Sequence, residues 1–230
     1  MLEIRLIACA VMLVLASIMD LKKREISDKV WVSFGGLGLL ITVIEFTGNS
    51  INLIQYGLGI AITAPIAYGI YRVGLFGGAD AKALISIAML VPSYDMLYKI
   101  HGLPSFTILT NATILTFAHV VHNIARNSID VARGKAVFEG FEESALRKAA
   151  AFVMGFRATS PTGYLFAIES TDGGKRRFNF HLTGYDDYVS EGSNNLWVTP
   201  ALPFIVYMTV GFLMMILFGD ILALIFVNIF

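Results

Sequence analysis

Long apolar runs separated by short polar breaks dominate the pattern of this chain. Leu6–Met19 with its flanks, Val30–Phe46, Ile51–Tyr71 and Leu103–Val121 each approach the ~20 residues that a helix needs to cross a bilayer. Between the third run and Leu103 the reading is less direct. Ala83–Val91 alone is too short for a span, but Gly74–Pro92 is long enough, and that choice puts Asp80 inside the membrane. From His122 to Thr199 charges, glycines and serines become frequent. There Ser144–Phe156 reads as an amphipathic helix. Tyr164–Glu169 and Arg176–Leu182 read as strands joined by a turn at Asp172-Gly173-Gly174, with Phe178, Phe180 and Leu182 on one face. After Pro200 and Pro203 the last apolar run reaches Phe230. As one helix it extends to ~40 Å against a ~30 Å hydrocarbon core, so it must tilt or lay its end along the interface. The expected fold is an all-α polytopic membrane protein of six transmembrane helices, with a small α+β cytoplasmic domain inserted before the last. The expected boundaries are 1–122 for helices one to five, 123–199 for the domain and 200–230 for helix six.

Composition agrees. Of 230 residues, 56% are hydrophobic and 15% charged, against about 45–50% and about 25% in soluble domains. The mean hydropathy is +0.70. Formal net charge is zero, so no overall field draws the chain to nucleic acid. Cys9 is the only cysteine, which excludes an intrachain disulfide or a CxxC metal site. Lys22, Lys23 and Arg24 follow the first apolar run instead of preceding it, so that run reads as a transmembrane helix and not as a removable signal. Lys22, Lys23, Arg24, Lys29, Arg72 and Lys82 fall on one side and only Arg5 and Lys99 on the other. By the positive-inside tendency the first connection and the inserted domain are cytoplasmic, and both termini external.

Ionisable groups near membrane depth are costly and mark function by default. Asp20 closes the first run and Asp80 lies ~9 Å into the fourth from the same face. Two carboxylates that meet in a partly dry site cannot both ionise easily, so one keeps a proton while the other acts as base. That is the equipment of an aspartyl protease. Gly77 and Gly78 leave room for a substrate backbone to approach Asp80. Each aspartate also has a plain structural reading. Asp20 can be a solvated helix-end acid beside Lys22–Arg24, and Asp80 a first-turn acid of a helix beginning near Ala81. Glu45, Asp95 and Asp220 sit near external span ends and read as solvated termini, and Asp28 lies in a charged loop. Thr107, Thr110, Thr113 and Thr116 share a face suited to helix packing. His119 and His122 have metal-ligand spacing but lack further ligands nearby in sequence. A transporter or ion carrier using Asp20 and Asp80 as a proton or cation site, or a non-catalytic scaffold subunit, competes with the protease reading.

Taken together, Asp20 with Lys22, Arg24, Glu25, Ile26 and Ser27, then Gly77–Asp80 with Lys82, then Pro200-Ala201-Leu202-Pro203, resemble the membrane aspartyl proteases of the GxGD class. Within that class the chain is similar to archaeal preflagellin peptidases and, more distantly, to bacterial type IV prepilin peptidases. Ala79 stands where the motif name expects glycine. The bacterial enzymes carry a cysteine-rich region and an N-methylation activity. With one cysteine, neither zinc nor methyl transfer is expected, and no cofactor or metal. The resemblance implies Asp20 and Asp80 as the catalytic pair, and Gly77, Gly78, Pro200, Ala201, Leu202 and Pro203 beside the substrate, with backbone groups at the proline-rich helix entry left unpaired. It implies a preflagellin or pilin-like precursor with a short basic leader, a glycine before the cleavage point and an apolar helix after it. Glu139, Glu142, Glu143, Asp186, Asp187 and Glu191 are candidates to meet that leader.

Overall fold

The computed structural model describes residues 1–159, 164–172, 175–180 and 195–229. Leu182, Gly173, Gly174, Asp186, Asp187 and Glu191 lie outside them. In chain order the elements are α1 (Leu2–Lys23), α2 (Asp28–Thr47), α3 (Leu53–Arg72), α4 (Gly78–Leu90), α5 (Pro104–Ala132), α6 (Ala145–Met154), β1 (Phe156–Ala158), β2 (Leu165–Ala167), β3 (Glu169–Asp172), β4 (Lys175–Phe178), β5 (Leu196–Pro200), α7 (Phe204–Phe218) and α8 (Ile221–Ile229). They form two compact units, Met1–Leu115 with Pro203–Phe230, and Thr116–Leu202.

In the first unit, polar caps start the helices where the apolar pattern begins. Ser27 accepts the N–H of Lys29 at 3.4 Å, and Asn52 accepts those of Ile54 and Gln55 at 3.0 and 3.2 Å. Met12, Leu13 and Ala16 of α1, Leu84 and Ile87 of α4, Ile108 of α5 and Met208 and Phe212 of α7 bury together in one cluster. Outward faces stay apolar as well: Ile7, Val11, Leu40, Ile54 and Leu213 are exposed. Such a surface is stable only against lipid. Four helices among the described residues are long and apolar enough to cross a bilayer, five if the bent α7–α8 pair counts as one. The chain is a multi-pass membrane protein.

Two expectations change here. The expected fourth span, Gly74–Pro92, shortens to the 13 residues of α4, below span length. Gly74 adopts φ +77 at the end of α3, and Gly77 is extended, so the chain turns before the helix can begin. The last apolar run is not one long helix. It breaks at Gly219 and bends by 49°. Gly219 has φ 78 and ψ −138, and a Cβ there would lie 2.5 Å from the carbonyl oxygen of Tyr98. Asp220 then caps α8, accepting Leu222 N–H at 3.0 Å. Asn111 of α5 holds the break from inside, donating to the Gly219 carbonyl at 3.0 Å and accepting from Ile221 N–H at 3.0 Å.

The acids expected at solvated span ends divide. Asp95 is 99% exposed at its side chain. Asp220 is fully buried and Glu45 is tied to a buried arginine, so both depart from expectation. On α5 Thr110 donates to the Thr107 carbonyl and Thr113 to that of Leu109. Ser105 of α5 pairs with Thr63 of α3 at 3.0 Å, and Asn111 donates to the Gly211 carbonyl of α7.

In the second unit, β5 lies between β1 and β2, antiparallel to both, and β3 pairs with β4. The two expected strands are recovered in shorter form. The Tyr164–Glu169 run becomes β2 and the start of β3, divided at Ile168. Trp197 and Phe178 anchor the core, with Phe138 stacked on Trp197 at 5.2 Å and the Trp197 indole donating to the Val137 carbonyl.

Candidate active site

Asp20 occupies the last turn of α1, where the helix leaves its apolar run for Lys22 and Lys23. The helix stops at Arg24, whose φ of 54 places it in the left-handed region and whose N–H bonds back to the Asp20 carbonyl at 3.0 Å. This turn brings the Arg24 guanidinium round to 3.9 Å from the Asp20 carboxylate. Asp20 itself is 9% exposed.

Asp80 lies in the first turn of α4, two residues after the helix begins, where a helix starting at Gly74 would have carried it further from its start. Its Oδ2 accepts the N–H of Gly77 at 3.0 Å. The first-turn capping geometry is therefore real for this residue, and it coexists with the site reading. Gly77 leaves the Asp80 carboxylate its place. A Cβ at that position would lie 3.1 Å from Asp80 Oδ2 and crowd the carboxylate. A Cβ at Gly78 would meet the Tyr71 ring at 3.7 Å, an ordinary contact.

α1 packs against α4, and α7 against both. α1 begins where α4 ends, with Arg5 reaching the Met89 and Leu90 carbonyls, so Asp20 in the last turn of α1 and Asp80 in the first turn of α4 fall toward the same end of the helix pair. Phe76, just before Gly77, contacts Phe204, just after Pro203, with ring centroids 5.3 Å apart. The start of α7 is thus seated against the loop that carries Asp80. Pro203 and both glycines belong to the same unit as the aspartates, whereas Pro200, Ala201 and Leu202 belong to the second. There the expectation of free backbone is corrected. Pro200 ends β5 opposite Leu165, and the N–H of Ala201 donates to the Tyr164 carbonyl at 3.0 Å.

Of the acids considered for leader contact, Glu142 pairs with Lys175 at 2.5 Å, and Glu143 pairs with Arg147 at 2.9 Å while accepting the Phe178 N–H. The Lys175 ammonium beside Glu142 holds its carboxyl below the usual range. Among the described residues no group of three or more His, Cys, Asp or Glu side chains is arranged to hold a metal ion. Sequence reasoning missed the clamp at the opposite end of α4. Arg5, 2% exposed, donates to Glu45, Thr42 and the carbonyls of Met89 and Leu90. A lone arginine and a lone glutamate in otherwise apolar spans were the available signal.

Comparison with known proteins gives the family. The profile of the type IV leader peptidase family matches residues 7–121, and that of the archaeal peptidase A24 C-terminus, type II, matches residues 137–221. The preflagellin peptidase of Methanococcus voltae is 28% identical over 227 positions, covering 90% of this chain and 92% of that one. That of Methanocaldococcus jannaschii is 27% identical over 249 aligned positions, covering 99% of both. The chain belongs to the type IV leader peptidase family.

Proposed function

We propose that the chain is an aspartyl endopeptidase that removes the short basic leader from preflagellin or type IV pilin-like precursors at the cytoplasmic face of the membrane. The observation that supports this reading is the placement of Asp20 in the last turn of α1 and Asp80 in the first turn of α4, two helices that pack against one another. One carboxylate, ionised, takes a proton from water. The other, protonated, polarises the scissile carbonyl through a hydrogen bond while the hydroxide adds to it, and then gives its proton to the leaving nitrogen as the C–N bond breaks. The protons belong to the pair, which titrates as a unit.

Both acids currently hold local partners, Arg24 and the Gly77 N–H. The two acids stand on different helices, so their assembly about one water on substrate binding is part of the proposed mechanism. The chemistry needs no cofactor. The basic cluster at Lys22–Arg24 supports a cytoplasmic position for this end. There a precursor keeps its basic leader in water and its apolar helix in lipid, and the bond between them rests level with the acids. A glycine before that bond lets the peptide extend past Gly77.

The test uses detergent-purified Asp20→Asn and Asp80→Asn with a leader-bearing precursor. Each variant should fold and lose turnover by at least about 100-fold, as expected for removal of a general acid or base. Near-normal turnover in either variant ends the two-aspartate mechanism.

A further inference from the structure

Arg24 breaks a backbone rule that the rest of the described chain keeps. It has φ 54 and ψ 21, in the left-handed region. Among the described residues the others with positive φ are all glycine or asparagine. Glycine takes such a conformation without a side-chain clash and asparagine tolerates it, whereas the Cβ of an arginine is strained there. Just past a helix end the left-handed residue is usually glycine. Strain of this kind gathers at functional sites, where the side chain has a task that glycine cannot perform.

The task lies at Asp20. Lys22 and Lys23 in the same turn are exposed, but the Arg24 side chain turns inward, 14% exposed, and puts Nη1 3.9 Å from Asp20 Oδ1. That separation exceeds a hydrogen bond, so between these atoms the guanidinium acts as a charge. Asp20 is buried in the last turn of α1, where unpaired carbonyls give the helix end a negative character. Asp80 has the opposite setting, in the first turn of α4. Helix position alone would put the negative charge on Asp80 and the proton on Asp20. A helix end amounts to roughly half an elementary charge, whereas the guanidinium is a full one, so the guanidinium decides. Among the described residues no basic side chain pairs with Asp80, and Lys82, two residues on, is paired with Asp28 at 2.6 Å. The Gly77 N–H on Asp80 Oδ2 suits either form, because the carbonyl oxygen of a protonated carboxyl accepts it as a carboxylate does.

We propose that Arg24 is a positioning residue for the cleavage, holding Asp20 ionised so that Asp20 is the base and Asp80 the acid. The inference rests on the two-aspartate reading and assigns its roles. Asp20 takes one proton from water as the new C–O bond forms, and Asp80 gives its proton to the nitrogen as the C–N bond breaks. The pair then holds its single proton on Asp20, and the Arg24 charge favours its return to Asp80 for the next turnover.

Arg24→Gly keeps the turn, which glycine adopts freely, and deletes the guanidinium. The assay uses detergent-purified variants and a synthetic precursor with a basic leader, a glycine and an apolar helix. Arg24→Gly should unfold within about 2 °C of wild type or above it, while kcat falls about tenfold at a KM within about threefold. Arg24→Lys, which keeps the charge, should bring kcat back to within about threefold of wild type. An unchanged kcat in Arg24→Gly, a rise in KM alone, a Tm that falls in step with activity, or a loss that Arg24→Lys does not recover overturns the assignment. Asp20→Asn and Asp80→Asn are measured alongside. If both abolish cleavage and Arg24→Gly does not slow it, only the role of Arg24 fails. If either cleaves normally, the two-aspartate reading fails with it.

Discussion

Replacing Arg5 by methionine should destabilise the first unit more than any surface change. The Arg5 guanidinium joins three helices. From α1 it donates to both Glu45 oxygens, at 2.7 Å from Nη2 and 3.1–3.3 Å from Nε. Nη2 also reaches Thr42 Oγ1 at 2.8 Å, and Nη1 reaches the Leu90 and Met89 carbonyls at 2.9 and 3.3 Å. Those carbonyls lie in the last turn of α4, where helical partners run out. Breaking a buried ion pair from one side costs about 3–5 kcal/mol, because the other charge is left behind. Glu45 borders an open cavity of about 510 Å³ and is 10% exposed at its side chain, so water relieves part of that cost. The lower end, about 3 kcal/mol, is the working figure. For a chain of this size it corresponds to a fall of roughly 10 °C in Tm. The assay is thermal unfolding in detergent of Arg5→Met, Glu45→Met and the double variant. The double should recover at least about 1 kcal/mol relative to the sum of the singles, since it removes the stranded charge. Because α4 is only 13 residues long, Leu90 and Asp80 ride on one short rod, and loosening its seat should also slow precursor cleavage. A Tm within about 2 °C of wild type for Arg5→Met, or strict additivity in the cycle, refutes the clamp.

Gly38→Ala should cost about 1–3 kcal/mol, because its Cβ would lie 2.6 Å from the Met89 carbonyl oxygen and force α2 and α4 apart. Gly36→Ala, facing open space, should stay within about 0.5 kcal/mol of wild type, and equal effects in paired unfolding scans would remove the close-approach argument. His101, in the segment between α4 and α5, is held below the ordinary imidazole range by burial, with the Asp220 carboxylate 3.8 Å away opposing that effect. Its protonation therefore favours the unfolded chain. The stability is present above about pH 6.5 and declines as pH falls toward the lower folded value. His101→Gln should flatten the fall in Tm between about pH 7 and 5, and an unchanged slope counts against it. EDTA should leave cleavage untouched. Loss of activity restored by a divalent ion would replace the two-carboxylate mechanism with a metal-dependent one.

Most helix positions were legible because lipid demands continuous apolar length, and the first three spans shift by only a few residues between sequence and structure. The misreadings share a cause. Hydropathy sums count glycine as permissive and ignore its backbone. Gly74 and Gly77 sit in an apolar run, yet the first turns left-handed and the second is extended, so α4 starts at Gly78. Gly219 and Asp220 interrupt the last run in the same manner. A glycine followed by a capping aspartate was a visible stop-and-start signal that the apolar count overrode. β1 and β5 were not legible. Phe156 pairs with Val198 across more than forty residues, and no local pattern encodes such a partner.

The shortened α4 changes what the candidate site must be. Had the fourth helix begun at Gly74, Asp80 would sit below the lipid headgroups and water would need a path to it. Beginning at Gly78, the helix presents Asp80 in its first turn, where backbone N–H groups have no helical partners and point toward the same end as the carboxylate. The Gly77 N–H already binds Asp80 Oδ2. A substrate carbonyl entering beside Gly77 would meet the same cluster of donors that steadies the acid, so capping and catalysis draw on one feature of the fold. This predicts that Gly77→Ala, with its Cβ 3.1 Å from Oδ2, lowers turnover far more than it lowers stability. A variant that unfolds early but cleaves normally per folded molecule would show that the glycine serves the helix start alone.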